Sequence, residues 1–319
     1  MPPLALAAAV LLVPPASPPP DTTPDPPPAG FPNLALPTLG GAQLWGDVRH
    51  RAGWRVQRHA WTGHHRLLDA ANVRRAWGSR RDCERALGRA IDTRALPRPA
   101  GRVVILVHGM GRSASCWNGL AAELQAAGLS TVQFQYPSTR QSLRKSAEEL
   151  AGVTATLLAE QDPGDPVTLH FVGHSAGGLV IRAWGEVADE RVPVGRVALL
   201  GVPNAGAAMA DRVRSVPGLA AAYAQVYGPA GPELSAVADQ SLAALPVPRG
   251  PVLTVAGCRG TAGGWNPLVP GDDDGTVGVA ETRLPGDTLH KARGVGHSFL
   301  MFDEEVRAAV VDFLKEPRP

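Results

Sequence analysis

The sequence predicts an α/β fold built on a doubly wound, mostly parallel β-sheet with an antiparallel N-terminal start. Val103–Val107 is a continuous apolar run, which is typical of a strand buried on both faces of a parallel sheet. Strand-like segments then alternate with amphipathic helical segments. The residues that carry chemistry fall on loops that follow strands, which is where such sheets place their sites.

The first 39 residues are predicted to precede this fold. Residues 1–13 contain an apolar run, Leu4–Val13, that suits a signal peptide and is too short to cross a bilayer. No basic residue precedes the run, so a misassigned start codon stays open as the alternative. Residues 14–39 are predicted to be a disordered linker, because ten of the 19 residues from Pro14 to Pro32 are proline. We expect export to the periplasm or medium, with a cytoplasmic location as the alternative.

The predicted domain spans residues 40–316 and opens with an antiparallel meander. Strands are predicted at Gln43–His50 and Trp54–Trp61, extended by Arg66–Leu68, and a helix at Ser79–Ile91. The parallel strands are predicted at Val103–Val107, Thr131–Tyr136, Val167–Val172, Arg196–Gly201, Pro251–Gly257 and Thr288–Val295. The helices that accompany them are predicted at Ser115–Ala127, Ser138–Glu160, Ala176–Asp189 and Asp303–Lys315.

An insertion at 203–250 separates two of these strands and is far longer than an ordinary connection. It is predicted to cap the site, with short helices at Ala208–Val213 and Leu219–Tyr227. A fixed excursion packed on the surface is favoured over a mobile lid. Because aromatic residues are only 5% of the chain, a large apolar lid is not expected.

Composition narrows the function classes. Lys and Arg number 31 against 29 Asp and Glu, and this balance argues against a nucleic-acid-binding protein. Cys83, Cys116 and Cys258 are widely spaced, so three reduced thiols are favoured over one disulfide and one thiol. No apolar run is long enough to be a transmembrane span, and with no spare amphipathic helix a monomer is expected.

The candidate nucleophile is Ser175, in the G-x-S-x-G segment Gly173–Gly177 between a strand and a helix. A tight strand-to-helix turn projects a serine hydroxyl above the sheet, and its glycines allow neighbouring chain to approach. After the Val103–Val107 strand comes His-Gly-Met-Gly, where the backbone N–H of Met110 and that of Ala176 are predicted to form an oxyanion hole. By itself, the His-Gly-Met-Gly segment is equally consistent with a plain glycine-rich turn that has no catalytic role.

The candidate acid and base follow later in the chain. Asp274 is the preferred acid within the Asp-Asp-Asp-Gly segment because it stands directly before the turn glycine, and Asp272 is the fallback acid. The alternative for the whole aspartate cluster is a solvated loop or a cation site. His297 lies on a loop before the last helix, where a general base can reach both partners. His64, His65 and His174 are expected to be surface or packing residues.

These segments together resemble an α/β-hydrolase of the lipase and esterase type. The resemblance covers about Gly101–Lys315 and rests on VVILVHGMG, FVGHSAGGLV, GVPNAG, DDDGTV and GHSFL, with the nucleophile, acid and base in the order of that superfamily. It implies a serine hydrolase that cleaves a small-molecule or lipid ester through an acyl-enzyme, with no cofactor and no metal. An amidase, thioesterase or acyltransferase with the same triad, or a non-catalytic binding protein on this scaffold, remain as alternatives.

Overall fold

The computed structural model describes residues 35–316, except 39, 207, 209–211 and 213–240. The predicted signal segment and nearly all of the predicted linker therefore lie outside the described residues. So do the two predicted helices of the insertion, apart from Ala208 and Arg212. Within the described part of the chain, no helix has both the length and the apolar character needed to cross a bilayer.

The N-terminal strands form an antiparallel sheet of their own, with the order β1-β5-β4-β3-β2. Its strands are β1 (Leu36–Pro37), β2 (Trp45–Arg51), β3 (Trp54–His59), β4 (His65–Leu68) and β5 (Val73–Gly78). The first and last of these strands were not predicted. The strand β1 pairs with β5, so it lies within the segment 14–39 that was predicted to be linker.

The second sheet has six strands in the order β11-β10-β9-β8-β6-β7, and every pair in it is parallel. Its strands are β6 (Arg102–Val107), β7 (Ser130–Phe134), β8 (Thr168–His174), β9 (Val194–Leu200), β10 (Val252–Cys258) and β11 (Thr288–Arg293). The predicted parallel sheet is confirmed. The strand order changes direction between β6 and β8, so the loops after these two strands lie at the topological switch point of the sheet.

The described helices are α1 (Arg80–Arg94), α2 (Asn118–Ala126), α3 (Leu143–Ala159), α4 (Ala176–Val187), α5 (Ser241–Ala244) and α6 (Glu304–Lys315). The prediction that α3 begins at Ser138 was wrong. The helix begins five residues later because the Ser142 hydroxyl accepts the N–H of Lys145 and caps it. A 3₁₀ turn, Ala114–Trp117, precedes α2 and replaces its predicted first turn.

Alternation along the central strands builds two apolar layers. In β6, Ile105 packs with α3 and α4 on one face, while Leu106 packs with α2 and α6 on the other. The antiparallel sheet has its own small core against α1. It is joined to the end of β7 through Asp47, whose backbone N–H donates to Gln135 O and whose carboxylate accepts the Gln135 N–H, both at 2.8 Å.

Candidate active site

Ser175 occupies the turn between β8 and α4 in a strained backbone conformation. Its φ of 53° and ψ of −129° lie where residues with a Cβ are rarely found, and such strain costs about 1–3 kcal/mol. The turn is held by two backbone bonds, from Ser175 N–H to Leu200 O at 2.9 Å and from Gly178 N–H to Ser175 O at 3.0 Å. The conformation is the one expected of a serine presented above the sheet edge.

Glycines make this turn possible by letting backbones approach. A Cβ at Gly177 would lie within 3 Å of the carbonyl carbon of Val107, at the end of β6. A Cβ at Gly173 would lie 2.6 Å from the Cα of Gly178 in α4. The first turn of α4 therefore lies against the loop after β6, which is the loop of the predicted oxyanion hole.

His297 lies within hydrogen-bonding distance of both of its predicted partners. Its Nε2 is 3.0 Å from Ser175 Oγ, and its Nδ1 is 2.7 Å from Asp274 Oδ2. A carboxylate can only accept, so it fixes the proton on Nδ1 and leaves Nε2 to accept the serine proton. The three side chains form one chain of hydrogen bonds, as the order Ser175, Asp274, His297 predicts.

Asp274 is buried and held in place by four backbone contacts. Its Oδ1 accepts the N–H of Thr276 at 2.9 Å and that of Val277 at 2.7 Å, which leaves Oδ2 for the imidazole. Its own N–H donates to Val277 O, and its carbonyl accepts the N–H of His297 at 2.8 Å. The acid and the base are thus tied to each other through main chain as well as side chains.

The neighbouring aspartates turn away from this chain of bonds. Asp272, the fallback acid, accepts the backbone N–H groups of Arg259 and Gly260. Asp273 is buried and accepts the N–H groups of Trp265, Asn266 and Gly275. Both carboxylates brace the loop after β10, and neither contacts His297.

The strand β9 is followed directly by Gly201, which lies beside Asp274 and His297. Its φ is +57°, and a Cβ there would lie 3.1 Å from His297 Nδ1 and 3.2 Å from Asp274 Oδ2. A side chain at this position would clash with both Asp274 and His297. The space at β9 is therefore left for a carboxylate supplied by the next strand.

His108 contacts the loop after β6, residues 108–112, which carries the predicted oxyanion donor Met110 and is the predicted oxyanion loop. Its Nδ1 donates to Gly109 O at 2.8 Å, and its Nε2 accepts the N–H of Tyr136 at 3.5 Å. In a trans peptide the C=O and the following N–H point in opposite directions. Binding the Gly109 carbonyl on the buried side therefore turns the Met110 N–H to the opposite side, as an oxyanion donor requires.

Burial keeps His108 neutral. It is fully enclosed, and this desolvation lowers its pKa to about 4. Tyr136, whose ring stacks on the imidazole, donates its hydroxyl to His108 O at 2.7 Å. The loop is thus set by uncharged hydrogen bonds that do not change near neutral pH.

His174 is a site residue whose role the sequence did not reveal. It is buried, and its Nε2 donates to the backbone carbonyl of His297 at 3.0 Å, with the two rings 4.9 Å apart. Desolvation, and then the neighbouring His297, lower the pKa of His174 well below its usual value. A Cβ at Gly109 would lie 2.6 Å from its Nδ1, so this ring packs under both the base and the oxyanion loop.

Both ends of the insertion are fastened to α4 by one buried arginine. Arg182 donates to the Asn204 carbonyl at 2.9 Å and to the Pro246 carbonyl at 3.2 Å, and it also bonds Leu245 O. The Asn204 amide in turn donates to Thr282 O. Most of the insertion between these points lies outside the described residues, so the predicted cap stays a prediction.

The described residues also bear on two minor predictions. The three cysteines are free thiols, and burial raises the pKa of Cys83 and of Cys116 to about 12. Among the side chains that the structure describes, no group of three or more His, Cys, Asp or Glu residues is arranged to hold a metal ion. The carboxylates of Asp272, Asp273 and Asp274 accept backbone N–H groups, and that of Asp274 also accepts the His297 imidazole N–H.

The sequence matches the family model described as the alpha/beta hydrolase family over residues 104–313, about two thirds of the chain. The match includes Ser175, Asp274, His297 and most of the parallel sheet. The chain therefore belongs to the alpha/beta hydrolase family, and the predicted fold class and resemblance are confirmed.

Solved structures with a similar fold include a lipase. Lipase BlEst2 from Bacillus licheniformis in its mature form has 19% identity and a TM-score of 0.51, covering 68% of this chain and 94% of that one. Its propeptide form has 21% identity and a TM-score of 0.54, covering 70% and 52%. A monoacylglycerol lipase from Paleococcus ferrophilus has 18% identity and a TM-score of 0.42, covering 67% and 93%. No curated protein matches the sequence.

Proposed function

We propose that this protein is a serine hydrolase that cleaves carboxylic esters through an acyl-enzyme. The observation that carries the proposal is the hydrogen-bonded chain from Ser175 through His297 to Asp274, at the point where the strand order reverses. Nucleophilic catalysis requires a serine hydroxyl beside a neutral imidazole whose proton lies on the far nitrogen, here Nδ1 of His297.

The first half of the reaction acylates the serine. Ser175 Oγ attacks the ester carbonyl carbon while its proton passes to His297 Nε2, and the imidazolium is stabilised by Asp274. The negative charge on the carbonyl oxygen is accepted by the backbone N–H groups of Met110 and Ala176. The tetrahedral intermediate then expels the alkoxide, which takes the proton from His297 and leaves as alcohol.

The second half releases the acid. His297 removes a proton from water, and the hydroxide attacks the acyl carbon of the Ser175 ester. When this second tetrahedral intermediate breaks down, Oγ leaves and takes the proton back from His297. The cycle consumes one ester and one water and yields one acid and one alcohol, and it uses only this chain's own groups.

An ester of modest size is the proposed substrate. The similar solved structures are named as lipases, which is consistent with an ester but belongs to those proteins. Amides and thioesters would react with the same three side chains and differ from esters in the leaving group. An acyltransferase would differ in the second step, where an alcohol attacks the acyl-enzyme in place of water.

The test compares matched p-nitrophenyl esters, anilides and thioesters of acetate, butyrate and octanoate, with and without added alcohol. We expect ester hydrolysis that Ser175→Ala abolishes. Faster turnover of anilides or thioesters, or acyl transfer that outcompetes hydrolysis, would contradict the ester assignment. A folded protein that turns over none of the substrates would favour a binding protein on the hydrolase scaffold.

A further inference from the structure

The oxyanion loop is fastened to the N-terminal region by one side chain, Gln43. Its Nε2 donates to the Arg112 carbonyl at 2.6 Å. Its Oε1 accepts the Ser138 hydroxyl at 3.1 Å and the Thr139 N–H at 2.9 Å. The Ser138 hydroxyl oxygen in turn accepts the Gly111 N–H at 3.0 Å. The two residues that directly follow Met110 are therefore held, directly or through one hydroxyl, by a single amide.

The same loop is connected to the base by the Arg112 side chain. The guanidinium donates to the Ser298 carbonyl at 2.7 Å, one residue after His297. It also lies over the ring of Phe302 at 5.7 Å. Arg112 thus connects Gln43, through its carbonyl, to the segment that carries the general base, through its side chain.

Gln43 is itself held on a rigid support. It stands two residues before β2, whose Asp47 pairs with Gln135 at the end of β7. The Gln135 amide bonds the Ala42 carbonyl, and its Oε1 accepts the Ala114 N–H at 2.9 Å. The segment 111–114 is therefore held at one end by Gln43 and at the other by Gln135, which also bonds the residue before Gln43.

From these contacts we infer that Gln43 is a positioning residue, through which the antiparallel sheet aligns the Met110 N–H for catalysis. The inference rests on the proposed function. Gly111 has a φ of +71° and nothing within 4 Å of the place where a Cβ would be, so it adds no packing of its own to the loop. His108 sets the buried side of this loop, and Gln43 sets its far end. An oxyanion donor must be placed accurately, because its value depends on the distance to the developing charge.

Two substitutions separate this role from simpler ones. Gln43→Glu keeps an acceptor for Ser138 and Thr139 but puts an oxygen against the Arg112 carbonyl. Gln43→Met removes both donor and acceptor without adding charge. Gln125→Glu is the matched control, since it makes the same change at an exposed amide that bonds only the Thr131 hydroxyl.

The assay measures kcat and KM on a p-nitrophenyl ester, the melting temperature, and the active fraction by fluorophosphonate titration of Ser175. We expect kcat per labelled site to fall by about 10-fold to 100-fold in both Gln43 variants, less than complete loss of an oxyanion donor. We expect KM to change by less than about threefold, because the donor acts on the transition state. The control should match wild type.

The outcomes distinguish a failure of the positioning role of Gln43 from a failure of the proposed hydrolase function. Unchanged kcat per labelled site, with only a lower active fraction or melting temperature, would show a structural role and overturn the inference. A fall in Gln43→Glu alone would show an effect of charge and overturn it too. Wild-type protein that neither labels at Ser175 nor hydrolyses esters would overturn the proposed function, and this inference with it.

Discussion

Asp274→Asn is the substitution whose effect the structure specifies most closely. Asp274 Oδ1 accepts two backbone N–H groups, from Thr276 and Val277. An asparagine keeps those bonds only if its carbonyl oxygen takes the Oδ1 place and its amide takes the Oδ2 place. The amide then donates to His297 Nδ1, which forces the imidazole proton onto Nε2, facing Ser175. The base is present but holds its proton in the wrong place.

The expected loss follows from that tautomer. A triad with its base in the wrong tautomer loses about 10⁴-fold in kcat, which corresponds to roughly 5 kcal/mol of transition-state stabilisation. Ser175→Ala removes the nucleophile itself and should cost more, on the order of 10⁶-fold. The alternative rotamer of the asparagine offers no escape, because it points an NH₂ group at two N–H donors.

The matched control is Asp272→Asn, which makes the same change two residues away. Asp272 bonds backbone N–H groups of its own loop region and the Cys258 thiol, none of which belongs to the Ser175–His297–Asp274 chain, so its variant should keep kcat within about threefold of wild type. Both variants are measured by steady-state hydrolysis of a p-nitrophenyl ester, with circular dichroism to show that each is folded. If Asp272→Asn is the more damaging change, or if Asp274→Asn loses less than tenfold, the assignment of the acid is wrong.

Three further predictions follow from the buried groups around the site. The pKa of His108 is about 4 when folded against about 6.5 when unfolded, so its contribution is complete above pH 6.5 and is lost as the pH falls towards 4. Urea denaturation should show at least about 3 kcal/mol less stability across that window, because the lowered pKa of the buried His174 acts in the same direction, and a flat profile would contradict the burial of these rings. His174→Phe should leave the His297 carbonyl unpaired and cost about 1–3 kcal/mol, together with a lower kcat; unchanged kcat would remove His174 from the site. Gly177→Ala should prevent folding or soluble expression, whereas Gly152→Ala, in open space on α3, should stabilise by about 1 kcal/mol; tolerance of the first change would show that the close approach to β6 is not required.

The parallel sheet and its loops could be predicted because their signals are local. Buried strands such as Val103–Val107 are continuous apolar runs, and the residues after them belong to short motifs with fixed backbone demands. The pairing of Asp274 with His297 depends on chain order and on a glycine after the acid, both visible in the sequence. The sequence favours Asp274 over Asp272 by position alone. The structure gives the physical reason, because the Asp272 carboxylate accepts backbone N–H groups of its own loop.

The N-terminal sheet and the supporting residues could not be predicted in the same way. The strand Val73–Gly78 carries two arginines and a glycine in six residues, and its strand identity comes from pairing with β4 and not from its own pattern. His174 acts through one side-chain hydrogen bond and Gln43 through several, all to residues more than 65 positions away. No periodicity or local motif records such a contact, because it forms only when loops that are distant in the sequence meet in the fold.

The measurement that tests the central claim most directly is labelling of the purified protein with a fluorophosphonate, with the adduct located by peptide mass. Phosphonylation requires a serine that is both deprotonated by its base and open to the reagent. We predict one adduct, on Ser175, that is absent from Ser175→Ala and strongly slowed in Asp274→Asn. An adduct on another residue, or none on a folded protein that also hydrolyses no ester, would contradict the account.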